Sequence, residues 1–196
     1  MIAGRWLVAV AAAVAAVQIG FLASMIAGRA AILRNGQEIV LRSSPVDPRD
    51  LLRGDYVVLS YNVSSIPVSL FAEARPLRED VQDRTVFVRL REGDGGIWHA
   101  TAARYGQPPE QPPVEGEVDV KGTTRSTWFE ATSSISVDYG IERFYVPEGE
   151  GRAIETAGWT GDGTDFRMRV AVAADGAAQI KSFHDGDRLL YAVPLY

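Results

Sequence analysis

From Trp6 to Gly28 the chain runs 23 residues without a charged side chain, with only Gln18 and Ser24 polar. A helix of that length rises roughly 35 Å, enough for a bilayer hydrocarbon core of about 30 Å. Arg5 and Arg29 bracket the run, and Trp6 sits where an interfacial aromatic would. The apolar part of a cleaved export signal is shorter, about 7–15 residues, and ends at a small-residue cleavage site. Here it continues through Ala30, Ala31, Ile32 and Leu33 with no clear break. The expectation is an uncleaved anchor within residues 1–35, in the lipid bilayer through residues 6–28 and followed by a juxtamembrane link. Its orientation draws on two opposed arguments. Arg29, Arg34 and Arg42 follow the span while only Arg5 and the terminal amine precede it, which by the positive-inside count leaves the C-terminal part in the cytoplasm. A lone span after a five-residue tail inserts more simply as a signal anchor and exports the chain beyond it. The second argument sets the expectation: a single-pass protein with its remainder extracytoplasmic, in the periplasm.

Charge divides the chain at the same place. Residues 1–35 hold three arginines and no acid, so all 25 acidic and the other 17 basic residues lie beyond, a net 17 − 25 = −8. An acidic remainder argues against nucleic-acid binding, which needs clustered Lys and Arg. Without cysteine there is no disulfide framework, thiol nucleophile or Cys-based zinc site. His99 and His184 are too far apart in sequence to suggest a His-rich metal centre, and neither a metal nor a cofactor is expected. The stretch 36–196 is long enough for one domain with a sizeable core.

Beyond the anchor, hydrophobicity alternates with period two between turn signals, the pattern of strands. Segments 37–41 and 56–62 fit it. So do 85–90 and 97–104, which flank the loop Arg91-Glu92-Gly93-Asp94-Gly95-Gly96, and 166–173 and 177–183, which flank Ala174-Asp175-Gly176. A last strand is expected over 188–195. Four prolines within 108–113 remove ladder donors and make residues 106–113 an extended surface loop. Short helical pieces are expected at 71–73 and 152–157. The β-prone run 126–132 makes Trp128 core, Trp98 and Trp159 are assigned to packing, and His99, alternating with Trp98, is assigned to the surface. The fold class is mainly β, a small barrel or sandwich with short helical turns.

The most specific stretch is Pro45-Val46-Asp47-Pro48-Arg49-Asp50-Leu51-Leu52-Arg53-Gly54-Asp55-Tyr56-Val57-Val58-Leu59-Ser60-Tyr61. Asp47 suits a helix N-cap, Pro48 the first helical position, and Asp50 the positive end of the turn. Gly54 then supplies the left-handed residue that stops the turn. The next strand places Val57, Leu59 and Tyr61 on one face, with Tyr61 in the core, and Tyr56 on the other, towards the charged turn. Asp47, Arg49, Asp50, Arg53 and Asp55 crowd one turn, either capping and pairing with each other or forming a ligand site.

Gly54-Asp55-Tyr56 with Leu59 and Tyr61 resembles the signature of the GDYXXLXY family of bacterial membrane-anchored proteins. The resemblance extends over Pro45 to Asp50 and over a second block, Tyr139-Gly140-Ile141-Glu142-Arg143-Phe144-Tyr145-Val146-Pro147-Glu148-Gly149. It implies an anchored protein of the inner membrane but no established biochemistry. A second, partial resemblance is to the box of type I signal peptidases and LexA-type self-cleaving proteins, through Leu51 to Leu59. That register puts Val46 at the serine position, with Ser43 and Ser44 too early and only Lys121 and Lys181 as bases. A valine cannot attack, so no peptidase activity is expected.

In the second block, a strand from Glu142 to Val146 is expected to share Ile141, Arg143 and Tyr145 on one face. Neither Glu148-Gly149-Glu150-Gly151 nor Asp185-Gly186-Asp187 carries a calcium-loop register. The binding face is assigned to Asp47, Arg49, Asp50, Arg53, Asp55, Tyr56, Glu142, Arg143 and Glu148, with no catalytic residue. The functional expectation is a non-catalytic accessory acting with a polytopic membrane protein. The alternative is a tethered hydrolase using carboxylates from 47–55 and 142–155 as general acid and base.

Overall fold

The computed structural model describes residues 2–45, 56–71, 83–125, 133–145 and 165–194. Helix α1 covers Ile2–Asn35, and its part from Trp6 to Asn35 is long and apolar enough to cross a membrane. Apart from Val114 and Leu189, the large apolar side chains left exposed among the described residues all lie on α1, from Trp6 to Ile26. A soluble core helix would bury them. Among the described residues no surface covers them, as expected of a single-pass anchor or a signal sequence.

The helix runs further than the uncharged segment. It enters the first strand, β1 (Gln37–Pro45), with Gly36 alone between the two elements. Leu33 is buried, and the Gly36 amide donates to the Ile32 carbonyl at 2.8 Å, closing the last helical turn.

Ten more strands come after it among the described residues: β2 (Tyr56–Tyr61), β3 (Ser65–Pro67), β4 (Thr85–Glu92), β5 (Trp98–Tyr105), β6 (Glu117–Thr124), β7 (Ser134–Asp138), β8 (Arg143–Tyr145), β9 (Phe166–Val172), β10 (Ala178–Asp185) and β11 (Arg188–Ala192). They form two open antiparallel sheets, in the orders β11-β10-β9-β1-β2-β8 and β3-β7-β6-β4-β5. Neither sheet closes, so of the two expected architectures the sandwich-like one describes the chain. Ile39 and Leu41 of β1, Met168 and Val170 of β9, Val86 and Val88 of β4, and Ile135 and Val137 of β7 belong to one continuous apolar core. Burying the inner faces of both sheets against each other holds the layers together.

Both long hairpins form where the alternation places them. The Asp175-Gly176 tip has Gly176 at φ 85°, and the Gly176 carbonyl accepts from the Lys121 amide of the other sheet at 2.8 Å. A Cβ on Gly176 would stand 2.9 Å from the Lys121 nitrogen, so this glycine serves both the turn and the inter-sheet approach. Trp98 is buried and His99 exposed. The proline-rich loop stays outside both sheets. Arg89 holds it by donating to the Gln111 carbonyl at 2.5 Å while pairing with Asp119 through two bonds of 2.8 Å. One local expectation is corrected. Phe71 is no helix residue but makes a β-bridge to Ala103, because a 3-10 turn over Val68–Leu70 comes first and returns the backbone to an extended conformation. Trp128, Trp159 and the helical piece at 152–157 lie outside the described residues.

The outer face of the six-stranded sheet is laced with ion pairs. Glu38 accepts from Lys181 at 2.7 Å and from Arg169 at 2.9 Å, and Asp165 joins Arg42 to Arg167. On the other sheet Glu117 pairs with Arg91. These partners hold the Glu38, Asp165 and Glu117 carboxyls below their ordinary range. A carboxyl more acidic in the folded state adds stability above its unfolded pKa, and that stability is lost as pH falls through the folded value. Thermal stability is therefore expected to decline as the pH drops below about 4.5, more gently at high salt for the partly exposed Glu38 and Asp165 pairs than for Glu117, whose carboxylate is buried. A flat profile of melting temperature against pH from 6 to about 3 would contradict this.

Candidate functional site

The two sequence blocks meet. β2 and β8 pair antiparallel with Tyr56 opposite Tyr145, Val57 opposite Phe144 and Val58 opposite Arg143, and the Leu59 amide donates to the Glu142 carbonyl at 2.8 Å. Leu59 and Tyr61 turn inward, only 3% and 4% exposed, as the alternation places them.

Two tyrosines then lock the blocks reciprocally. The Tyr61 hydroxyl donates to the Ile141 carbonyl at 2.5 Å, reaching from the first block into the second. The Tyr139 hydroxyl donates to the Val63 carbonyl at 2.7 Å, reaching from the second block back to the turn after Tyr61. Both carbonyls belong to irregular backbone, which without the hydroxyls would keep unsatisfied acceptors in the core. Burial, with the Glu142 carboxylate nearby, pushes both phenols above their ordinary value of 10. Each therefore stays a protonated donor at any physiological pH.

The turn between Tyr139 and Glu142 has its own closure. Gly140 adopts φ 78°, and the Glu142 carboxylate accepts from the Tyr139 amide at 2.5 Å. This alters the expected faces of the second block. Ile141 is buried in the turn, whereas β8 starts at Arg143, which is exposed, and next buries Phe144. Ile141 and Arg143 do not share a face, because the alternation starts only where the strand does. Glu142 is thus engaged in holding the turn through both its carboxylate and its carbonyl.

Asn62 extends the lock to the other sheet. Its side-chain oxygen accepts from the Arg42 amide at 3.2 Å, and its amide nitrogen donates to the Trp98 carbonyl of β5 at 2.7 Å. The first residue after β2 therefore bridges both layers. Asn62 and Tyr139 are the two contributors that the sequence reading missed. Tyr139 stood visible in the second block, but its partner lies 76 residues away.

Asp47, Arg49, Asp50, Arg53, Asp55 and Glu148 lie outside the described residues, as does Gly54 with its expected left-handed conformation. Tyr56 is placed by its backbone in β2. The signal-peptidase comparison gains no dyad among the described residues. Ser43 is buried on the core side of β1, while Lys181 reaches Glu38 on its opposite side.

The Leu59 and Tyr61 pattern, the pairing of the two blocks and the apolar helix ahead of them agree with one assignment. The chain belongs to the GDYXXLXY protein family. The family model matches residues 18–183, from within α1 to Phe183 of β10, and so includes both blocks. No curated protein and no solved structure matches the chain. For a GDYXXLXY protein the described part of the signature has a physical meaning: Leu59 and Tyr61 are packing and locking residues.

Proposed function

We propose that this GDYXXLXY protein is a bacterial inner-membrane protein held by an uncleaved single-pass anchor, with its β portion in the periplasm as a non-catalytic accessory to a polytopic membrane partner. One observation carries this reading: α1 is built into the sheet. Leu33 is buried against it, α1 packs on β9 and β10, and Gly36 alone separates helix from strand. A signal destined for removal has no need of such a junction. A β portion without a flexible tether is held near the bilayer in one attitude, which suits lateral docking on another membrane protein.

The docking face in this reading draws on the charged residues Asp47, Arg49, Asp50, Arg53 and Asp55, with Tyr56, Glu142, Arg143 and Glu148. Cross-linking in native membranes, followed by isolation of the full chain, tests it. The expected result is one stoichiometric polytopic partner, captured about fivefold less well by Tyr56→Phe, the loss of roughly one hydrogen bond. Thermal stability should be nearly unchanged. Equal capture by wild type and Tyr56→Phe would remove the face from the proposal, and a C-terminal export reporter that stays inactive would place the β portion on the cytoplasmic side.

A further inference from the structure

An open cleft of about 320 Å³ lies where the last turn of α1 meets the outer face of β9, β10 and β11. Leu33, Leu189 and Val193 form an apolar wall, and Glu38, Arg169 and Lys181 contribute a charged floor. A β-bulge makes this floor possible. The register of β10 on β9 shifts between Ile180 and Ser182, so Lys181, Ser182 and His184 all line the cleft while Ile180 and Phe183 stay in the core.

We propose that this cleft binds the phosphate headgroup of an anionic phospholipid from the leaflet that α1 meets, with Arg169 and Lys181 as its cationic contacts. The inference rests on the reading that α1 stays in the membrane. Leu33 stands five residues beyond Gly28, about 7 Å along the helix axis, which puts the cleft at headgroup depth. Arg29 lies four residues before Leu33 on the same helical face and adds positive charge on the bilayer side. Glu38 holds Arg169 and Lys181 side by side at 2.9 and 2.7 Å, and the three groups together keep one net positive charge. A guanidinium has five N–H donors and an ammonium three, so both cations keep donors for a phosphate. The Ser182 hydroxyl and the His184 Nε2, 2.8 Å apart, add polar groups at the floor. Burial and neighbouring Arg169 lower the His184 pKa, so at neutral pH the imidazole contributes no charge. The apolar wall faces the glycerol and the first acyl carbons, which a free phosphate lacks.

The test uses the full-length chain in neutral detergent, offered equal amounts of phosphatidylglycerol and phosphatidylcholine, with retained lipid read by native mass spectrometry. Wild type should retain phosphatidylglycerol selectively, and Arg169→Gln with Lys181→Gln should cut that preference by roughly fivefold per cation. Glu38→Gln breaks the same two ion pairs but keeps both cations, so its preference should match or exceed wild type. Circular dichroism checks that every variant is folded. Three results would each overturn the proposal: an unchanged preference in the double variant, a loss in Glu38→Gln equal to the double variant's, or displacement of the lipid by inorganic phosphate. The mass of the chain isolated from membranes is a separate reading. A chain shortened at its N-terminus would refute the anchor, whereas the lipid ratio of the intact chain addresses the cleft.

Discussion

Tyr61→Ala is expected to destabilise the fold by about 3–5 kcal/mol, the usual range for truncating a buried aromatic. The ring sits in the core beside the inter-sheet bridge of Asn62, and its removal also leaves the Ile141 carbonyl without a donor. Tyr61→Phe and Tyr139→Phe separate the two contributions. Each keeps the ring and strands one buried carbonyl, at a cost of about 1–3 kcal/mol. The two bonds join the same pair of segments, so the double Phe variant should cost less than the sum of the single ones. Strict additivity would mean that the hydroxyls act independently and that the lock is only two separate contacts. Alkaline pH supplies a second check. A phenol whose pKa is raised by folding gives stability that is complete below 10 and declines as pH rises beyond it. Wild type should therefore lose stability above pH 10 more steeply than the double Phe variant. Chemical denaturation of the full chain in detergent, across that pH range, measures both effects.

Much of this core was legible because it obeys local rules. Val86, Val88 and Leu90 fall in phase on the core face of a strand, Asp175-Gly176 marks a hairpin by its own turn chemistry, and Tyr61 falls in phase with Leu59. What the sequence concealed is pairing at long range. β1 lies between β9 and β2, so strands that start at residues 37 and 166 are neighbours, and no periodicity encodes that choice. The same holds for β2 and β8, whose adjacency turns two separate blocks into one site. Irregularity was the second obstacle. The expected faces around Glu142 assumed a strand starting there, but Gly140 and the Glu142 carboxylate form a turn first. The bulge in β10 likewise breaks the alternation by one residue, and it brings Lys181 and Ser182 into the same cleft. Both departures occur at polar groups, where side-chain hydrogen bonds compete with regular ladders.

Gly36→Ala is expected to cost about 3 kcal/mol, at the top of the usual range for overpacking. A Cβ there would stand 2.6 Å from the Ile32 carbonyl oxygen and 3.0 Å from both the nitrogen and the oxygen of Val172. All three are backbone atoms, held by the closing turn of α1 and by the β1–β9–β10 ladder, so none can rotate away as a flexible side chain would. The strain can be relieved only by moving α1 off the sheet, which uncovers Leu33. Gly28→Ala is the matched control, because a Cβ at that helical position meets nothing within 4 Å. That substitution should be neutral or slightly stabilising, since alanine favours the helix over glycine. Hydrogen exchange over residues 30–37 of the full chain should rise in Gly36→Ala and stay unchanged in Gly28→Ala. Equal behaviour of the two variants would show that helix and sheet are joined loosely. An α1 lifted from β9 and β10 would also lose the Leu33 wall of the cleft. Gly36→Ala should then weaken phosphatidylglycerol retention with Arg169, Lys181 and Glu38 all intact, a loss that charge alone cannot explain.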